Sequence, residues 1–213
     1  WMKQQPEEIP SDILKSRLEL ERLFTEAYET LQAGGVVLIP TTVGYTLCSL
    51  EKGARRMEKL KGRPDGKPFG ILGTPEIYKD TFGSPPATCI PGTVCMGFIG
   101  RPRSVKKIPS GGVGPNGEVG IWLNLGPVHQ RLAERIWEET GELMIATSCN
   151  KAGGGNPTGH HFSLDFVDEE IRSKVDLEFD VNHWEVPEHD VNGRWLSAPI
   201  LELESGKVKR VGR

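Results

Sequence analysis

The sequence is poor in cysteine, and it has none of the cysteine spacings that build disulfide frameworks or zinc sites. Four cysteines are spread over 213 residues, and no two of them form a Cys-x-x-Cys pair. Three of the four lie in apolar or strand-like segments, where a free thiol packs as a small apolar side chain. They are Cys48, Cys89, Cys95 and Cys149. We therefore expect no disulfide, no zinc site and a reducing compartment.

Long apolar runs and an excess of positive charge are also missing. The first eight residues lack the apolar stretch of a signal peptide, and no segment is long enough to cross a bilayer, so we expect a cytoplasmic protein without membrane contact. A net charge of −3 argues against a protein that coats nucleic acid. Residues 52–67 are nevertheless rich in lysine and arginine, which indicates a local anionic ligand such as a nucleotide, or a limited RNA contact.

A P-loop is absent as well. The glycine-rich segment at residues 110–117 lacks the Gly-Lys-Ser/Thr ending that cradles phosphate. Its Pro-Asn-Gly core is typical of a hairpin, so we predict a turn there.

The apolar pattern that is present predicts alternating helices and strands. Helical spacing appears near residues 11–33, 54–61, 76–81, 128–137 and 168–173. Strand patterns appear at residues 36–39, 69–72, 90–99, 119–123, 143–146 and 176–181, with a hairpin over 199–211. We predict an α/β fold with a twisted sheet of parallel and antiparallel strands, helices on both faces and a basic central cleft. We expect one domain over residues 11–213, preceded by a flexible segment of residues 1–10.

The segment at residues 60–72 places three cations at the junction between a helix and a strand. Lys61, Arg63 and Lys67 lie among two glycines and two prolines, which restrict the backbone to turn conformations. Such junctions often line ligand clefts. A solvated basic loop is the alternative interpretation of this segment alone.

Short motifs follow one another along nearly the whole chain. They are Pro-Thr-Thr-Val-Gly-Tyr-Thr-Leu at 40–47, Lys-Gly-Arg-Pro at 61–64, Pro-Gly-Thr-Val-Cys at 91–95, Thr-Ser-Cys-Asn-Lys-Ala-Gly at 147–153, Ser-Ala-Pro-Ile at 197–200 and Arg-Val-Gly at 210–212. In order and spacing they resemble the motifs of the YrdC-like family, which includes the threonylcarbamoyl-AMP synthases and the YciO branch. The Asp65-Gly66 pair is similar to the YciO branch in particular.

The resemblance implies a single YrdC-like domain and an ATP-dependent reaction. In that reaction L-threonine, bicarbonate or CO2 and ATP give L-threonylcarbamoyladenylate and pyrophosphate, and the adenylate is used to modify adenosine 37 of tRNA (t6A37). ATP is thus a substrate, and Mg²⁺ is carried by its phosphates, with no dedicated protein ligands. Transfer RNA or double-stranded RNA, and another enzyme of tRNA modification, are the macromolecular partners that the resemblance implies.

The resemblance also implies which residues form the site. It assigns catalysis to Lys61 and Arg63. It assigns ATP binding to Lys61, Arg63, Lys67, Ser148, Asn150, Asn156 and Arg210. It assigns binding of the amino acid or carbamate to Thr41, Tyr45, Cys95 and Ser197.

Four positions depart from the family pattern and leave two alternatives open. Thr42 stands where the family has an acidic residue, Leu72 where many synthases have histidine, Cys95 where they have threonine, and Trp122 where they have arginine. The first alternative is a diverged enzyme that makes a carbamoyl-adenylate from another amine. The second is a non-catalytic module that binds double-stranded RNA or tRNA.

Overall fold

A computed structural model describes residues 11–63, 66–83, 95–104, 108–149, 164–180 and 198–210, without the side chains of residues 11–15, 166 and 210. The helices in these ranges are α1 (Ser11–Gln32), α2 (Ala54–Lys61), α3 (Pro75–Phe82), α4 (Pro127–Thr140) and α5 (Glu169–Arg172). None of the helices in these ranges is both long enough and apolar enough to cross a membrane.

Nine strands in the described part of the chain form one sheet. They are β1 (Val37–Ile39), β2 (Thr46–Ser49), β3 (Gly70–Leu72), β4 (Met96–Gly100), β5 (Val119–Leu123), β6 (Met144–Ser148), β7 (Leu177–Glu178), β8 (Ile200–Glu202) and β9 (Val208–Arg210). The order across the sheet is β7-β1-β2-β6-β3-β5-β4-β8-β9. Three neighbouring pairs are parallel, β7 with β1, β3 with β5 and β4 with β8, and the other five are antiparallel. The predicted mixed α/β sheet is confirmed.

Helices cover both faces of the sheet at β1. Successive side chains of this strand point to opposite faces, so they pack against different helices. Val37 and Ile39 belong to one hydrophobic cluster with the apolar face of α1, against which α4 also packs. Leu38 belongs to a second cluster with Met57 of α2 and Ile171 of α5. All five side chains are fully buried. A strand buried on both faces explains why this segment is a continuous apolar run.

Two predicted strands differ in extent from the observed ones. The strand predicted at residues 143–146 continues through Thr147 and Ser148, because β6 lies between β2 and β3 and pairs with Thr46 and Leu47 of β2 at these positions. The two polar residues therefore belong to a central strand and not to the following loop. Of the strand predicted at residues 176–181, Leu177 and Glu178 form β7, which pairs with β1, and residue 181 lies outside the described residues.

The glycine-rich segment at residues 110–117 ends in the predicted hairpin turn. The Gly117 amide donates to the Gly114 carbonyl at 2.9 Å, and the Gly114 amide donates to the Glu118 carbonyl at 2.7 Å. Val113 and Val119 pair across the turn as an antiparallel bridge. Residues 90–94 of the strand predicted over 90–99 lie outside the described residues.

Candidate active site

The end of α2 fixes the backbone positions of two of the predicted site residues. Gly62 follows Lys61 with φ +59°, in the left-handed region that favours glycine. The Gly62 amide donates to the Lys59 carbonyl at 3.2 Å, and the Arg63 amide donates to the Glu58 carbonyl at 3.0 Å. These two bonds form a Schellman motif, which ends the helix and places Arg63 directly beyond it.

Lys61 is buried, and all three protons of its ammonium group have acceptors on β6. Nζ donates to Thr147 Oγ1 at 2.7 Å, to the Ser148 carbonyl at 2.7 Å and to Ser148 Oγ at 2.8 Å. The side chain is only 6% exposed. The predicted convergence of Lys61 and Ser148, 87 positions apart in sequence, is therefore present in the structure.

Arg63 contacts the same threonine and also holds its own loop in place. One terminal nitrogen donates to Thr147 Oγ1 at 2.9 Å, Nε donates to the Lys67 carbonyl at 2.9 Å, and the other terminal nitrogen donates to the Pro68 carbonyl. The guanidinium also lies over the Phe69 ring, 4.5 Å from its centroid. The arginine thus connects α2, residues 67–69 and β6.

Burial and neighbouring positive charge shift the titration of Lys61. Burial, followed by the charge of Arg63, lowers the pKa of Lys61 from 10.5 to about 7; Lys67 adds to this shift, and Cys149 opposes it. Burial also lowers the pKa of the Arg63 guanidinium from its ordinary value. Because an opposite charge favours the protonated form, a phosphate or carboxylate bound here would raise the pKa of Lys61 again.

These side chains line a cleft of about 270 Å³ that crosses four neighbouring strands. Its polar part is formed by Thr46, Lys61, Arg63, Lys67, Thr147 and Ser148. Its apolar part is formed by Val43, Pro68, Leu72, Trp122, Leu125 and Ala146. Because the strand order is β2-β6-β3-β5, the polar residues of β2 and β6 lie on one side and the apolar residues of β3 and β5 on the other. The cleft can hold an anion at one end and an apolar group at the other.

Three further predicted residues are described and do not line this cleft. The Thr41 hydroxyl donates to the Gly44 carbonyl at 2.6 Å and also accepts from the Val43 amide at 3.3 Å, within a local turn. Tyr45 is buried in the second hydrophobic cluster. Cys95 is partly buried beside β4 and packs against the first cluster.

Other predicted site residues fall outside the described part of the chain. Asn150, Asn156 and Ser197 are not in the described ranges, and for Arg210 the structure describes the backbone alone. Their assignment to ATP or amino-acid binding stays a prediction.

The family departures do not lie together. Leu72 and Trp122 face each other in the register of β3 and β5 and both line the cleft. The Thr42 amide, by contrast, donates to the Leu125 carbonyl at 2.9 Å, and its side chain is exposed. Two of the four departures therefore change the chemistry of the cleft wall.

Thr147 is a site residue that the sequence interpretation did not assign. Its hydroxyl oxygen accepts from both Lys61 and Arg63, so it links the two cations. The sequence feature that could have assigned Thr147 to the site was its position directly before Ser148 in the Thr-Ser-Cys-Asn motif. The observation that decides its role, the continuation of β6 through both residues, depends on pairing with β2.

Apart from Lys61, the basic residues of α2 form an ion pair or face solvent. Arg56 donates to Asp176 at 2.5 Å and to the Lys174 carbonyl at 2.7 Å. Arg55 and Lys59 are exposed. An RNA contact at this surface stays a prediction.

Comparison with known proteins identifies the family. No curated protein matches the chain. Residues 29–190, more than half of the chain, match the model of the Sua5/YciO/YrdC family, which is described as telomere recombination. The chain belongs to the Sua5/YciO/YrdC family. The resemblance to YrdC-like proteins drawn from the motifs is therefore confirmed.

Solved structures share the fold of this chain at low sequence identity. E. coli YciO is 21% identical with a TM-score of 0.65, and the alignment covers 90% of each chain. Sua5 of P. abyssi, complexed with L-threonine, is 20% identical with a TM-score of 0.65, covering 89% of this chain and 54% of that one. Full-length HypF in its phosphate- and nucleotide-bound form is 18% identical with a TM-score of 0.69, covering 90% of this chain and 29% of HypF.

Proposed function

We propose that this member of the Sua5/YciO/YrdC family makes a carbamoyl-adenylate from ATP, bicarbonate or CO2 and an amino acid, with release of pyrophosphate. L-threonine is the amino acid that the resemblance implies, and modification of tRNA adenosine 37 is the proposed use of the product. The convergence of Lys61, Arg63 and Ser148 in one cleft is the observation on which the proposal rests.

The reaction brings two anions together, and this requirement explains the need for the cations. The amine nitrogen bonds to the carbon of CO2 and loses a proton, which gives a carbamate. A carbamate oxygen then bonds to the α-phosphorus of ATP, and the bond from that phosphorus to the bridging oxygen breaks as pyrophosphate leaves. Positive charge in a cleft of lowered dielectric reduces the repulsion and stabilises the leaving group. The scheme needs no nucleophilic side chain, since positioning and charge stabilisation carry the step.

The observed hydrogen bonds indicate different roles for the two cations. Lys61 is held by hydroxyl and carbonyl oxygens that a phosphate oxygen can replace, so its ammonium can follow charge toward the leaving pyrophosphate. Arg63 donates to two carbonyls of its own loop, which keeps its charge beside Lys61 and shapes the cleft edge. Ser148 is within reach of the same anion.

Mg²⁺ would enter this cleft bound to the phosphates of ATP. The described lining of the cleft consists of cations, hydroxyls and apolar side chains, and none of its residues is a carboxylate. Oxygen ligands for the ion would therefore come from ATP. Mg²⁺ bound in this way neutralises phosphate charge.

Two of the similar structures support the choice of ligands. One is the Sua5 structure complexed with L-threonine, and the other is the HypF structure in a phosphate- and nucleotide-bound form. The proposal transfers an amino acid and a nucleotide to the cleft of this chain.

Pyrophosphate release measured with ATP, Mg²⁺, bicarbonate and a panel of amino acids tests the proposal, with the adenylate identified by mass spectrometry. We expect Lys61→Ala to lower the rate by about 10²-fold or more, as for other preorganised charge-stabilising groups. Lys59→Ala is the matched control, because Lys59 belongs to the same helix turn and is exposed. We expect it to retain the wild-type rate.

Circular dichroism and thermal unfolding of Lys61→Ala show whether the fold is kept. A folded Lys61→Ala variant that releases pyrophosphate at the wild-type rate contradicts the proposed mechanism. The absence of pyrophosphate release with every amino acid contradicts the proposed reaction itself.

A further inference from the structure

The indole of Trp122 lies on a surface formed by glycines from three adjacent strands. Gly70 of β3 is the register partner of Gly120 in β5, and Gly97 of β4 is the register partner of Trp122 itself. A Cβ atom at Gly70 would stand 2.7 Å from the ring, one at Gly120 2.6 Å and one at Gly97 3.0 Å. Glycine within a strand marks a place where another group approaches the backbone closely. Here that group is the indole.

The glycines allow a large ring to lie close to the sheet while still bordering the cleft. Trp122 is partly exposed and lines the cleft together with Leu72, its neighbour in register, and Leu125. Leu72 is 2% exposed and Leu125 is 3% exposed, so both are already packed in place. Next to the anion-binding residues there is therefore a preformed apolar wall with an aromatic ring as its largest element.

We propose that this wall selects a substrate amino acid with an apolar side chain, which contacts the Trp122 indole while its anionic end faces Lys61 and Arg63. This inference rests on the proposed function and specifies its amino acid. It assigns to Trp122 the role of determining specificity. L-threonine is then a poor substrate, because its hydroxyl would lose water against Leu72 and Leu125, whose side chains offer no hydrogen-bond partner.

The distribution of polar groups favours a side chain over a nucleobase at this position. A base offers several donors and acceptors along its edge, and selective binding requires partners for them. Apart from the indole nitrogen of Trp122 itself, the described polar side chains of the cleft are on β2, β6 and residues 61–67, and β3 separates β2 and β6 from the strand that carries Trp122. Leu72 and Leu125, which line the cleft together with the indole, have side chains of carbon alone, and this matches an apolar amino-acid side chain.

The matched pair L-valine and L-threonine tests the proposal, because the two differ by a methyl group in place of a hydroxyl. Binding is measured by isothermal titration calorimetry with Mg²⁺ and a non-hydrolysable ATP analogue, and pyrophosphate release is measured separately with ATP. We expect wild-type protein to bind L-valine at least about 10-fold more tightly than L-threonine, and L-leucine at least as tightly as L-valine. Trp122→Ala should reduce the valine preference to less than about 3-fold, and Trp122→Phe should give an intermediate value.

Trp137→Ala is the control, since Trp137 is a partly buried tryptophan of α4 outside the cleft. We expect it to keep the valine preference. Unfolding curves of both alanine variants establish whether each is folded, and Trp122→Phe supplies the comparison if Trp122→Ala is unfolded.

The outcomes separate this inference from the proposed function. Binding of L-valine without pyrophosphate release supports the apolar wall and contradicts the proposed reaction. Tighter binding and faster turnover of L-threonine than of L-valine overturn the inference and leave the reaction standing. A Trp122→Phe variant that loses affinity for the nucleotide analogue and keeps its amino-acid preference also overturns it, because the ring would then contact the base.

Discussion

At the scale of single residues, Lys61 combines a charged group with an almost fully buried position. Burial and the nearby cations lower its pKa to about 7, whereas the pKa of a lysine in an unfolded chain is about 10.4. Between these two values the unfolded chain binds a proton that the folded chain has lost. The stability of the fold should therefore increase as the pH rises from about 7 toward 10, with the buried charge destabilising the fold below that window.

Competitive labelling with acetic anhydride tests this shift. In the native protein we expect the labelling rate of Lys61 to reach half its plateau near pH 7, because only the neutral amine reacts. The same peptide from the denatured protein is the control, and its labelling midpoint is expected at about pH 10.4. The sites are separated by mass spectrometry. Equal midpoints in the two states would show that the ammonium is not perturbed by the fold.

Individual site residues differ in how far the sequence could predict them. The resemblance to the family motifs assigns Lys61, Arg63 and Ser148 to one site, and the structure brings the three side chains into one cleft. Thr147 was not assigned, although it accepts hydrogen bonds from both cations. Its role depends on which strand lies beside β6, and that information is not local.

At the scale of secondary-structure elements, the end of α2 determines where Arg63 lies in the site. Replacement of Gly62 by alanine forces an L-residue into φ +59°, which costs roughly 1 kcal/mol. A Cβ atom there would meet nothing within 4 Å, so the cost is conformational and not steric. We expect the free energy of unfolding in urea to fall by about this amount and pyrophosphate release to fall as well, because the Arg63 position changes.

Gly141→Ala is the matched control for that prediction. Gly141 follows α4 with φ +69°, and a Cβ atom there also meets nothing within 4 Å. We expect a similar loss of stability with an unchanged reaction rate. If both variants lose activity in parallel with stability, the end of α2 has no special effect on the cleft.

The ends of helices and strands were predictable where the apolar pattern is strong and glycine or another turn residue interrupts it. The helix closed by Gly141 and the strand at residues 119–123 are examples. The strand order was not predictable in the same way. β6 pairs with β2 and β3 although it follows them by more than 70 residues, and β3 pairs with β5 on its other side. Such pairings are decided by packing over the whole sheet.

At the scale of the whole molecule, Asp176 connects segments that are far apart in sequence. Its Oδ2 accepts from the Val36 amide at 2.8 Å and from Arg56 at 2.5 Å, next to the pairing of β7 with β1. Asp176→Ala would leave the fully buried Val36 without this acceptor, so we expect a loss of roughly 1–3 kcal/mol in the free energy of unfolding. Urea denaturation measures the loss.

Asp176→Asn separates the hydrogen bond from the charge, since an amide oxygen can still accept from Val36. Its loss should be smaller, because the partly exposed ion pair with Arg56 contributes at most about 1 kcal/mol. Burial alone raises the pKa of Asp176, but the hydrogen bonds from Arg56 and Val36 outweigh it and hold the pKa below its usual value. The difference in stability between the wild-type protein and the Asp176→Asn variant should therefore be present above about pH 4 and disappear as the pH falls below it. A difference that grows on acidification would contradict this role.

The contact between Trp122 and its three glycines makes the order of mutation matter. A methyl group at position 70 or 120 collides with the present ring at less than 3 Å, so such a change is tolerated only after residue 122 has become small. In a combinatorial library we expect epistasis among these positions, with alanine at 120 harmful beside tryptophan at 122 and neutral beside alanine at 122. An attempt to redesign the cleft should therefore begin at residue 122 and leave the glycines for a second round.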